Sequence, residues 1–330
     1  MRAIVIDRFG GPDELSLREL PVPSPAKGEV LVKVEVAGVN FIDVYMRSGA
    51  YGKSDTYKTP LPMTIGMEAG GIVAALGDGV QGLEVGDRVA YCLARGSYAE
   101  YALVPAWRAV KVPEGVPLAH ATALMLQGLT AHYLSHSAFA LKPGDSCLVH
   151  AAAGGVGQLL IQLAKLRGAT VLGTVGDADK MRIALARGCD HAILYRETDF
   201  REEVMRVTGG RGVDVVYDSV GKDTIERSIR CLRRRGLCVM YGASSGQVAG
   251  IAPLALAEAG SVFFTRPHLA DYIADADEVE SRSGALFRHY ADGNLKIALH
   301  GTLDLEGAAE AHRILEARGT RGKILLRVSS

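Results

Sequence analysis

A glycine-rich loop between a buried strand and an amphipathic helix constrains this chain more than any other feature. The loop reads A-A-G-G-V-G over residues 152–157; the apolar run C-L-V-H-A comes directly before it, and a segment with helical apolar spacing follows. Glycines at these places let the backbone approach a pyrophosphate, and the amides at the start of the helix face its negative charge. A tight strand-to-helix turn without a ligand is the alternative interpretation. In this context the motif predicts a dinucleotide site.

The pattern of apolar runs divides the chain into three segments. Residues 1–120 carry short β-like runs broken by proline and glycine, whereas residues 121–265 alternate strand and helix patterns. Alternating elements need crossover connections, so the middle segment predicts a doubly wound parallel sheet with helices on both faces. Residues 266–330 mix helices with a terminal strand and are predicted to rejoin the first segment. A length of 330 residues exceeds one ordinary core and favours two domains.

The residues that follow the second strand of this sheet bear on the kind of dinucleotide. The strand ends at Thr174, Val175 and Gly176, and Asp177 comes next. An acidic residue there would accept hydrogen bonds from the ribose 2′-hydroxyl of NAD and repel a 2′-phosphate. Lys180 would instead attract the 2′-phosphate of NADP, so the two residues point in opposite directions. In a third interpretation Asp177 caps the next helix and Lys180 is solvated. The residues favour NADP by a narrow margin.

The charge balance excludes a general attraction to polyanions. Lysine and arginine together number 37, and so do aspartate and glutamate. No net field therefore draws the chain towards nucleic acid or an anionic membrane. The arginine run Arg233–Arg235 is interpreted as the end of a helix, where cations complement the helix dipole. Nucleic-acid binding is not expected.

The cysteines indicate a reducing compartment. The chain has five, scattered and never in a C-x-x-C pair, which argues against a disulfide framework and a zinc ribbon. The sequence contains no apolar run long enough for a signal sequence or a membrane span. We therefore expect a cytoplasmic protein without membrane association.

A longer segment around the loop carries a family resemblance. Residues 144–165 read G-D-x-x-L-x-x-x-A-A-G-G-x-G-x-x-x-x-Q-x-x-K. This pattern resembles the signature of quinone oxidoreductases and ζ-crystallins, in the zinc-free branch of the medium-chain dehydrogenases/reductases. The similarity extends over nearly the whole chain, through the runs FGGPDEL, AGVNFIDVYMRSG, GDRVAY, GLTAHYL, YDSVG and FFTRP. The resemblance implies a GroES-like, mostly-β catalytic domain interrupted by a Rossmann domain.

The resemblance also implies how a cofactor is held. In bacterial NADPH-dependent enzymes of this type, a lysine, a tyrosine and an arginine hold the 2′-phosphate, and Lys180, Tyr195 and Arg318 stand at the matching places. NADPH is therefore the expected cofactor. Asp177 departs from the small hydroxyl residue common at its position, which leaves use of NADH open as well. The residues predicted to bind the cofactor are Thr130, Ala152, Gly154, Gly155, Val156, Gly157, Gly176, Lys180, Tyr195, Ser219 and Arg318.

Comparison with the zinc enzymes of the same superfamily predicts a site without metal. Those enzymes hold zinc with a cysteine and a histidine where this chain has Asn40 and Met67, which are poor zinc ligands. Without a Lewis acid, hydride must pass to an acceptor that already stabilises negative charge. A quinone or a conjugated enone has this property.

Four residues are predicted to act on the substrate. Asn40, Asp43 and Tyr45, in the run N-F-I-D-V-Y, resemble family residues at the nicotinamide end of the site. Tyr45 is the predicted proton donor or oxyanion partner. Gln127 stands where many relatives have lysine, so it would act through hydrogen bonds alone. In the alternative interpretation Asn40 and Asp43 only fix the loop, Tyr45 only packs, and the Thr130 hydroxyl bonds to its own helical turn.

Taken together, these features predict an NADPH-dependent quinone reductase with a small-molecule substrate. An alkenal or enone reductase is one alternative, and a non-catalytic protein that binds nucleotide and RNA is another. The apolar run S-V-F-F-T, which contains Phe263, predicts an edge strand that pairs with its twin in a homodimer.

Overall fold

The computed structural model describes residues 1–57 and 59–329, which form two compact units. The first unit contains residues 1–129, 273–292 and the described residues from 297 onward. The second unit contains Thr130–Tyr272 and Gly293–Lys296. The first unit is therefore discontinuous in sequence, and nearly all of the second is one continuous segment.

The described residues form strands and helices with the following bounds. The strands are β1 (Arg2–Ile6), β2 (Ser16–Glu19), β3 (Glu29–Val39), β4 (Met63–Thr64), β5 (Glu68–Leu76), β6 (Arg88–Cys92), β7 (Tyr101–Pro105), β8 (Val110–Lys111), β9 (Ser146–Val149), β10 (Thr170–Val175), β11 (His191–Leu194), β12 (Val213–Asp218), β13 (Leu232–Met240), β14 (Phe263–Thr265), β15 (Leu299–Asp304) and β16 (Lys323–Arg327). The helices are α1 (Phe41–Arg47), α2 (Leu118–Ala123), α3 (Leu129–Tyr133), α4 (Gly155–Leu166), α5 (Ala178–Ala186), α6 (Phe200–Val207), α7 (Ile225–Ile229), α8 (Pro253–Glu258), α9 (Ala276–Ala291) and α10 (Ala308–Glu316).

The first unit is built on a seven-stranded sheet. Its strand order is β15-β16-β3-β5-β6-β8, with β7 paired to β3, and a small sheet β2-β1-β4 accompanies it. The long strand β3 pairs antiparallel with β5, β7 and β16, so the C-terminal strand completes a sheet begun near residue 29. Alternate apolar side chains of β3, such as Val30, Val32 and Val34, are buried in its core. This sheet places the start of α1 directly after β3.

The second unit is the doubly wound parallel sheet that the sequence predicts. Its strand order, β11-β10-β9-β12-β13-β14, reverses direction between β9 and β12, and all neighbours are parallel. All four residues of β9 and all six of β12 are buried, as expected for strands covered on both faces. In such sheets ligands bind outside the carboxyl ends of the strands, where the strand order reverses.

The structure contradicts the helical interpretation of Arg233–Arg235. Helix α7 ends at Ile229, and the three arginines lie within β13. They occupy an irregularity of the β12–β13 register, where Arg235 adopts a φ of 58°. The guanidinium of Arg233 donates to the buried carboxylate of Asp214, and this bond holds the Arg233 side chain against the sheet. The error arose because a run of cations before a glycine matches a helix end equally well.

Strand β14 lies at the edge of the parallel sheet, where Phe263 is 62% exposed. Across the described ranges, none of the helices combines the length and apolar character needed to cross a membrane.

Candidate active site and cofactor loop

The glycine-rich loop lies at the carboxyl end of β9 and leads directly into α4. The amide of Ala152 donates to the Thr174 carbonyl at 3.0 Å, which ties the loop to the end of β10. A Cβ atom on Gly157 would lie 2.9 Å from both Cα and O of Ala152, and closer still to the Ala151 carbonyl oxygen. A Cβ atom on Gly154 would approach only that carbonyl, at 3.1 Å. Gly157 therefore allows the helix to pack closely on its strand, as the motif requires.

The open side of the same loop fits a dinucleotide pyrophosphate. Helix α4 starts at Gly155, and Gly154 precedes it in extended conformation as its cap residue. The first amides of a helix have no partner within the helix, and they attract anions. Ala152 and Gly157 are buried, and Val156 is partly exposed on the first turn of α4. The loop thus leaves backbone donors next to positions that have no side chain in the way.

Two of the three predicted 2′-phosphate residues, Lys180 and Tyr195, lie on the second unit near the end of β10. The hydroxyl of Tyr195, which follows β11, lies 3.1 Å from where a Cβ of Gly176 would be. The Lys180 side chain is only 17% exposed, and its Nζ lies 4.0 Å from Asp177. Asp177 Oδ1 accepts the Lys180 amide at 2.8 Å, so its helix-cap interpretation is confirmed, whereas full solvation of Lys180 is not observed. Arg318 belongs to the first unit, after α10, with a φ of 57°.

Two further predicted cofactor residues occupy the second unit. Ser219 follows β12, and a Cβ on Gly242 would lie 2.7 Å from the Ser219 carbonyl oxygen. The Tyr241 hydroxyl is hydrogen-bonded to Ser219, and burial raises its pKa. Thr130 is 8% exposed, near the start of α3. The loops after β12 and β13 therefore pack closely at the carboxyl edge of the sheet.

A buried histidine joins three strand ends next to the loop, and sequence reasoning did not assign it a role. His150 Nδ1 lies 2.9 Å from the Thr174 hydroxyl, and its Nε2 lies 2.9 Å from the Ser228 hydroxyl. Ser228 donates to Asp218 at 2.7 Å, so Nε2 carries the proton and Thr174 donates to Nδ1. Burial lowers the pKa of His150. This chain of bonds holds the neutral imidazole directly before the glycine loop.

In the first unit, the predicted Asn40 belongs to a buried charged network. Asn40 Nδ2 donates to the Gly38 carbonyl and to Glu68 Oε2, at 3.2 and 2.9 Å. Lys323 Nζ donates to Asn40 Oδ1 at 2.7 Å and forms an ion pair with Glu68. The other Glu68 oxygen accepts the amide of Leu126 at 2.6 Å. Lys323 and Glu68 are at most 1% exposed, so water contributes little to their solvation.

The predicted Asp43 is also buried, and one of its carboxylate oxygens accepts two hydrogen bonds. Its Oδ2 accepts the Asn40 amide at 2.9 Å and the Tyr98 hydroxyl at 3.0 Å. Burial raises the pKa of Asp43 to about 7, although these hydrogen bonds act in the opposite direction. The Tyr98 hydroxyl lies 3.3 Å from His312 Nε2, and Arg47 contacts the Nδ1 atom of that ring at 3.0 Å. Burial, followed by the nearby Arg47 charge, lowers the pKa of His312 to about 3.

The two remaining predicted catalytic residues are partly exposed. Tyr45 lies on α1, and its ring centre is 5.4 Å from that of Tyr51 and 6.0 Å from that of Phe41. Tyr51 stacks in turn on Tyr57 at 5.2 Å, so these rings form an aromatic row. Gln127 lies in a π-helical turn that spans Leu124–Gly128, between α2 and α3. Its neighbour Leu126 supplies the amide that Glu68 accepts.

The residues at the expected zinc position do not fit a metal ion. Asn40 and Glu68 already bond to the ammonium of Lys323, and a second cation there would be repelled. Met67 offers only a thioether, which is a poor zinc ligand. Within the part of the chain that the structure describes, no three histidine, cysteine, aspartate or glutamate side chains are grouped to hold a metal.

Sequence reasoning overlooked Lys323 and His150 as members of these networks. Lys323 opens the apolar strand K-I-L-L-R, and a lone cation at a buried strand position is the signal that pointed to a buried partner. His150 ends an apolar run directly before the loop, where a polar residue needs a hydrogen-bond partner. Each signal indicates that the residue has a buried partner, but neither signal identifies that partner.

Comparisons with known proteins agree with this two-unit architecture. Residues 26–114 match the alcohol dehydrogenase GroES-like domain, and residues 155–276 match the zinc-binding dehydrogenase family. These matches define the class: a medium-chain dehydrogenase/reductase with a GroES-like unit and a Rossmann unit. The predicted fold class is thereby confirmed.

Full-length relatives narrow the class further. Quinone oxidoreductase 1 of Escherichia coli (strain K12) is 43% identical over 98% of both chains, and a 2-haloacrylate reductase of Burkholderia sp is 42% identical over 98% of both. The crystal structure of E. coli quinone oxidoreductase complexed with NADPH has a TM-score of 0.95 and 42% identity, and covers 99% of this chain and 100% of that one. A mycobacterial structure complexed with NADPH also reaches 0.95, at 41% identity, with coverage of 99% and 100%. The chain belongs to the quinone oxidoreductase family.

Proposed function

We propose that this protein is an NADPH-dependent reductase of quinones that works without zinc. One observation carries the proposal: the glycine loop combines a tightly packed inner side at Gly157 with an open outer side at Gly154, at the first amides of α4. This geometry suits a dinucleotide pyrophosphate. The NADPH named in two similar crystal structures supports the choice of cofactor.

We assign the 2′-phosphate to Lys180 and Tyr195, with Arg318 as the predicted third group. Lys180 is largely withdrawn from water, which strengthens its attraction for an anion. Tyr195 stands beside Gly176 and can donate its hydroxyl. One carboxylate oxygen of Asp177 caps α5, so Asp177 is less available to bind the 2′-hydroxyl of NAD.

The residues of the first unit support an acceptor that is already electrophilic. When bound, reduced nicotinamide supplies a hydride, and a quinone that takes up this hydride and one proton becomes a hydroquinone. Asn40 and Glu68 are committed to Lys323, so they provide no metal site to polarise a carbonyl. Tyr45, partly exposed in its aromatic row, is the proposed hydroxyl donor to the oxygen that gains charge. Gln127 is proposed as a neutral hydrogen-bonding partner.

A second candidate reaction is reduction of a conjugated carbon–carbon double bond. The observation that favours it is the 42% identity to a 2-haloacrylate reductase over nearly the full length. The same hydride delivery serves both reactions, because a quinone and a conjugated alkene each delocalise the incoming charge.

The test is oxidation of NADPH by the purified protein with a panel of quinones, alkenals and 2-haloacrylates. We expect turnover with quinones at one hydroquinone per NADPH, and slower turnover with NADH. Turnover confined to alkenes would replace the first reaction by the second. Binding of NADPH without turnover of any acceptor would reject both, and retention of RNA would then support the non-catalytic alternative.

We also propose an oligomeric state, a cellular compartment and domain bounds for the enzyme. The edge position of β14 and the exposed Phe263 support a homodimer with a continuous sheet. All five cysteines are free and buried, which supports the cytoplasm as the compartment. We assign catalysis to a domain of residues 1–120 and 266–330, and cofactor binding to residues 121–265.

A further inference from the structure

The helical segment that begins with α2 contains two π-helical turns, and the first of them carries Gln127. Between α2 and α3 the chain forms a π-helical turn over Leu124–Gly128, where the amide of Leu129 reaches back to the carbonyl of Leu124, five residues earlier. A π-turn accommodates one extra residue in a helix, and such turns occur frequently at functional sites. They need a local cause, because ordinary α-helical bonding is otherwise favoured.

The cause lies outside the helix, on β5. Glu68 Oε1 accepts the amide of Leu126 at 2.6 Å, a charge-assisted hydrogen bond that engages a donor within the turn. A side chain that inserts into the helical ladder in this way displaces the regular bonding pattern. The contact is long-range, since Glu68 and Leu126 are 58 residues apart in sequence.

The carboxylate can occupy this buried place because Lys323 neutralises it. Lys323 Nζ and Asn40 Nδ2 both donate to Glu68 Oε2, which leaves Oε1 for Leu126. The fit depends on Gly38, since a Cβ there would lie 2.8 Å from the Glu68 carboxyl carbon and 2.7 Å from Lys323 Cε. The first unit is thus built to hold one ion pair against one helix amide.

We propose that Lys323 and Glu68 are positioning residues that hold the π-turn and thereby set the direction of the Gln127 side chain. The side chains of successive helical residues point in directions about 100° apart. If the π-turn became an α-helical turn, it would no longer accommodate the extra residue, and the Gln127 side chain would point about 100° away from its present direction. The proposal rests on the proposed function only for the role of Gln127 towards the acceptor. The turn and its cause stand independently of it.

A matched pair of double variants tests the cause. Glu68→Gln with Lys323→Met removes both charges and retains an oxygen acceptor for the Leu126 amide. Glu68→Leu with Lys323→Met removes the charges and the acceptor alike. We expect crystal structures in which the first variant retains the π-turn and the second has an α-helical turn at Leu124–Gly128. The same turn in both variants, of either kind, would overturn the proposal.

The wild-type protein provides a test that needs no variant to fold. A hydrogen bond from the Leu126 amide to the Glu68 carboxylate gives a through-bond NMR coupling between the Leu126 ¹⁵N and the Glu68 side-chain ¹³C. We expect this coupling together with a strongly downfield Leu126 amide proton. A Leu126 amide without the coupling would overturn the proposal, whether or not the enzyme reduces quinones. Absence of turnover in an enzyme that shows the coupling would instead reject only the proposed function.

Kinetics then test whether the turn acts through Gln127. Gln127→Ala is expected to lower kcat/KM for the quinone about tenfold, the effect of one lost hydrogen bond, with little change in KM for NADPH. The Glu68→Leu, Lys323→Met variant should show a similar loss of kcat/KM for the quinone. Addition of Gln127→Ala to that variant should lower kcat/KM by less than a further twofold. A full further tenfold loss would show that the pair does not act through Gln127. Asp214→Asn, which weakens the two ion pairs that the buried Asp214 forms with Arg211 and Arg233 in the second unit, is the stability control and should change neither kcat/KM for the quinone nor KM for NADPH.

Discussion

Separate substitution of two of the three loop glycines, Gly157 and Gly154, by alanine should distinguish a packing role from a binding role. In Gly157→Ala the new methyl group would lie 2.9 Å from backbone atoms of Ala152 and closer to the Ala151 carbonyl. Backbone cannot move aside as a flexible side chain can, so overpacking costs towards the upper part of about 1–3 kcal/mol. Alanine recovers at most about 1 kcal/mol of helix propensity within α4. The net loss is therefore about 2 kcal/mol, or roughly 4–8 °C in Tm.

The matched substitution is Gly154→Ala, three residues earlier. Its backbone is extended, and the methyl would touch only the Ala151 carbonyl at 3.1 Å, so the expected loss of stability is below about 1 kcal/mol. Its methyl would instead occupy the side of the loop that we assign to the pyrophosphate. The rise in Tm that NADPH causes by mass action should therefore shrink sharply in Gly154→Ala.

Thermal unfolding followed by circular dichroism, with and without NADPH, measures both effects. Without NADPH, Gly157→Ala should melt several degrees below Gly154→Ala. Equal melting temperatures would refute the packing argument. A Gly154→Ala protein that NADPH stabilises as much as the wild type would refute the assignment of the loop to the pyrophosphate.

Four further outcomes are expected. Lys180→Ala should raise KM for NADPH about 10- to 100-fold and leave KM for NADH unchanged, whereas Arg182→Ala, an exposed site on the same helix, should alter neither. Tyr45→Phe should lower quinone kcat at least about tenfold without a change in Tm, and an unchanged kcat would exclude Tyr45 as the donor. Because the pKa of Asp43 is raised to about 7, the folded state holds the carboxyl proton more tightly than the unfolded state does. In urea unfolding, the free energy of unfolding should therefore fall from about pH 4 to pH 7 and then level off, and Asp43→Asn should abolish this pH dependence. Phe263→Glu should convert a dimer into a monomer by light scattering, and a dimer that persists would place the interface elsewhere.

The sequence sufficed for the features that depend on neighbouring residues. The loop, the start of α4 and the alternation of parallel strands are written in short-range patterns, because glycine placement and apolar spacing act locally. The cap that Asp177 forms on α5 is likewise a contact over three residues. For these features the chain needs no distant partner.

The features that escaped sequence reasoning depend on distant partners. Lys323 and Glu68 are 255 residues apart, and neither residue alone signals which charge it will meet. The π-turn at Leu124–Gly128 has an ordinary helical sequence, and the Glu68 carboxylate to which we attribute it comes from the distant strand β5. Asp43 is buried, which raises its pKa, and it accepts a hydrogen bond from Tyr98, 55 residues away in sequence; the N-F-I-D-V-Y run does not indicate this partner.

The discontinuity of the first unit has a consequence for the order in which a ribosome releases the chain. Residues 1–129 emerge before residues 130–272, but β15 and β16 reach the sheet only after both of these segments have been made. Until then the nascent sheet lacks the strand that pairs with β3, and Glu68 lacks its counter-ion Lys323. Residues 130–272 complete their own parallel sheet earlier. Translation arrested shortly before residue 299 should therefore yield a protease-resistant nucleotide-binding unit attached to a protease-sensitive N-terminal segment.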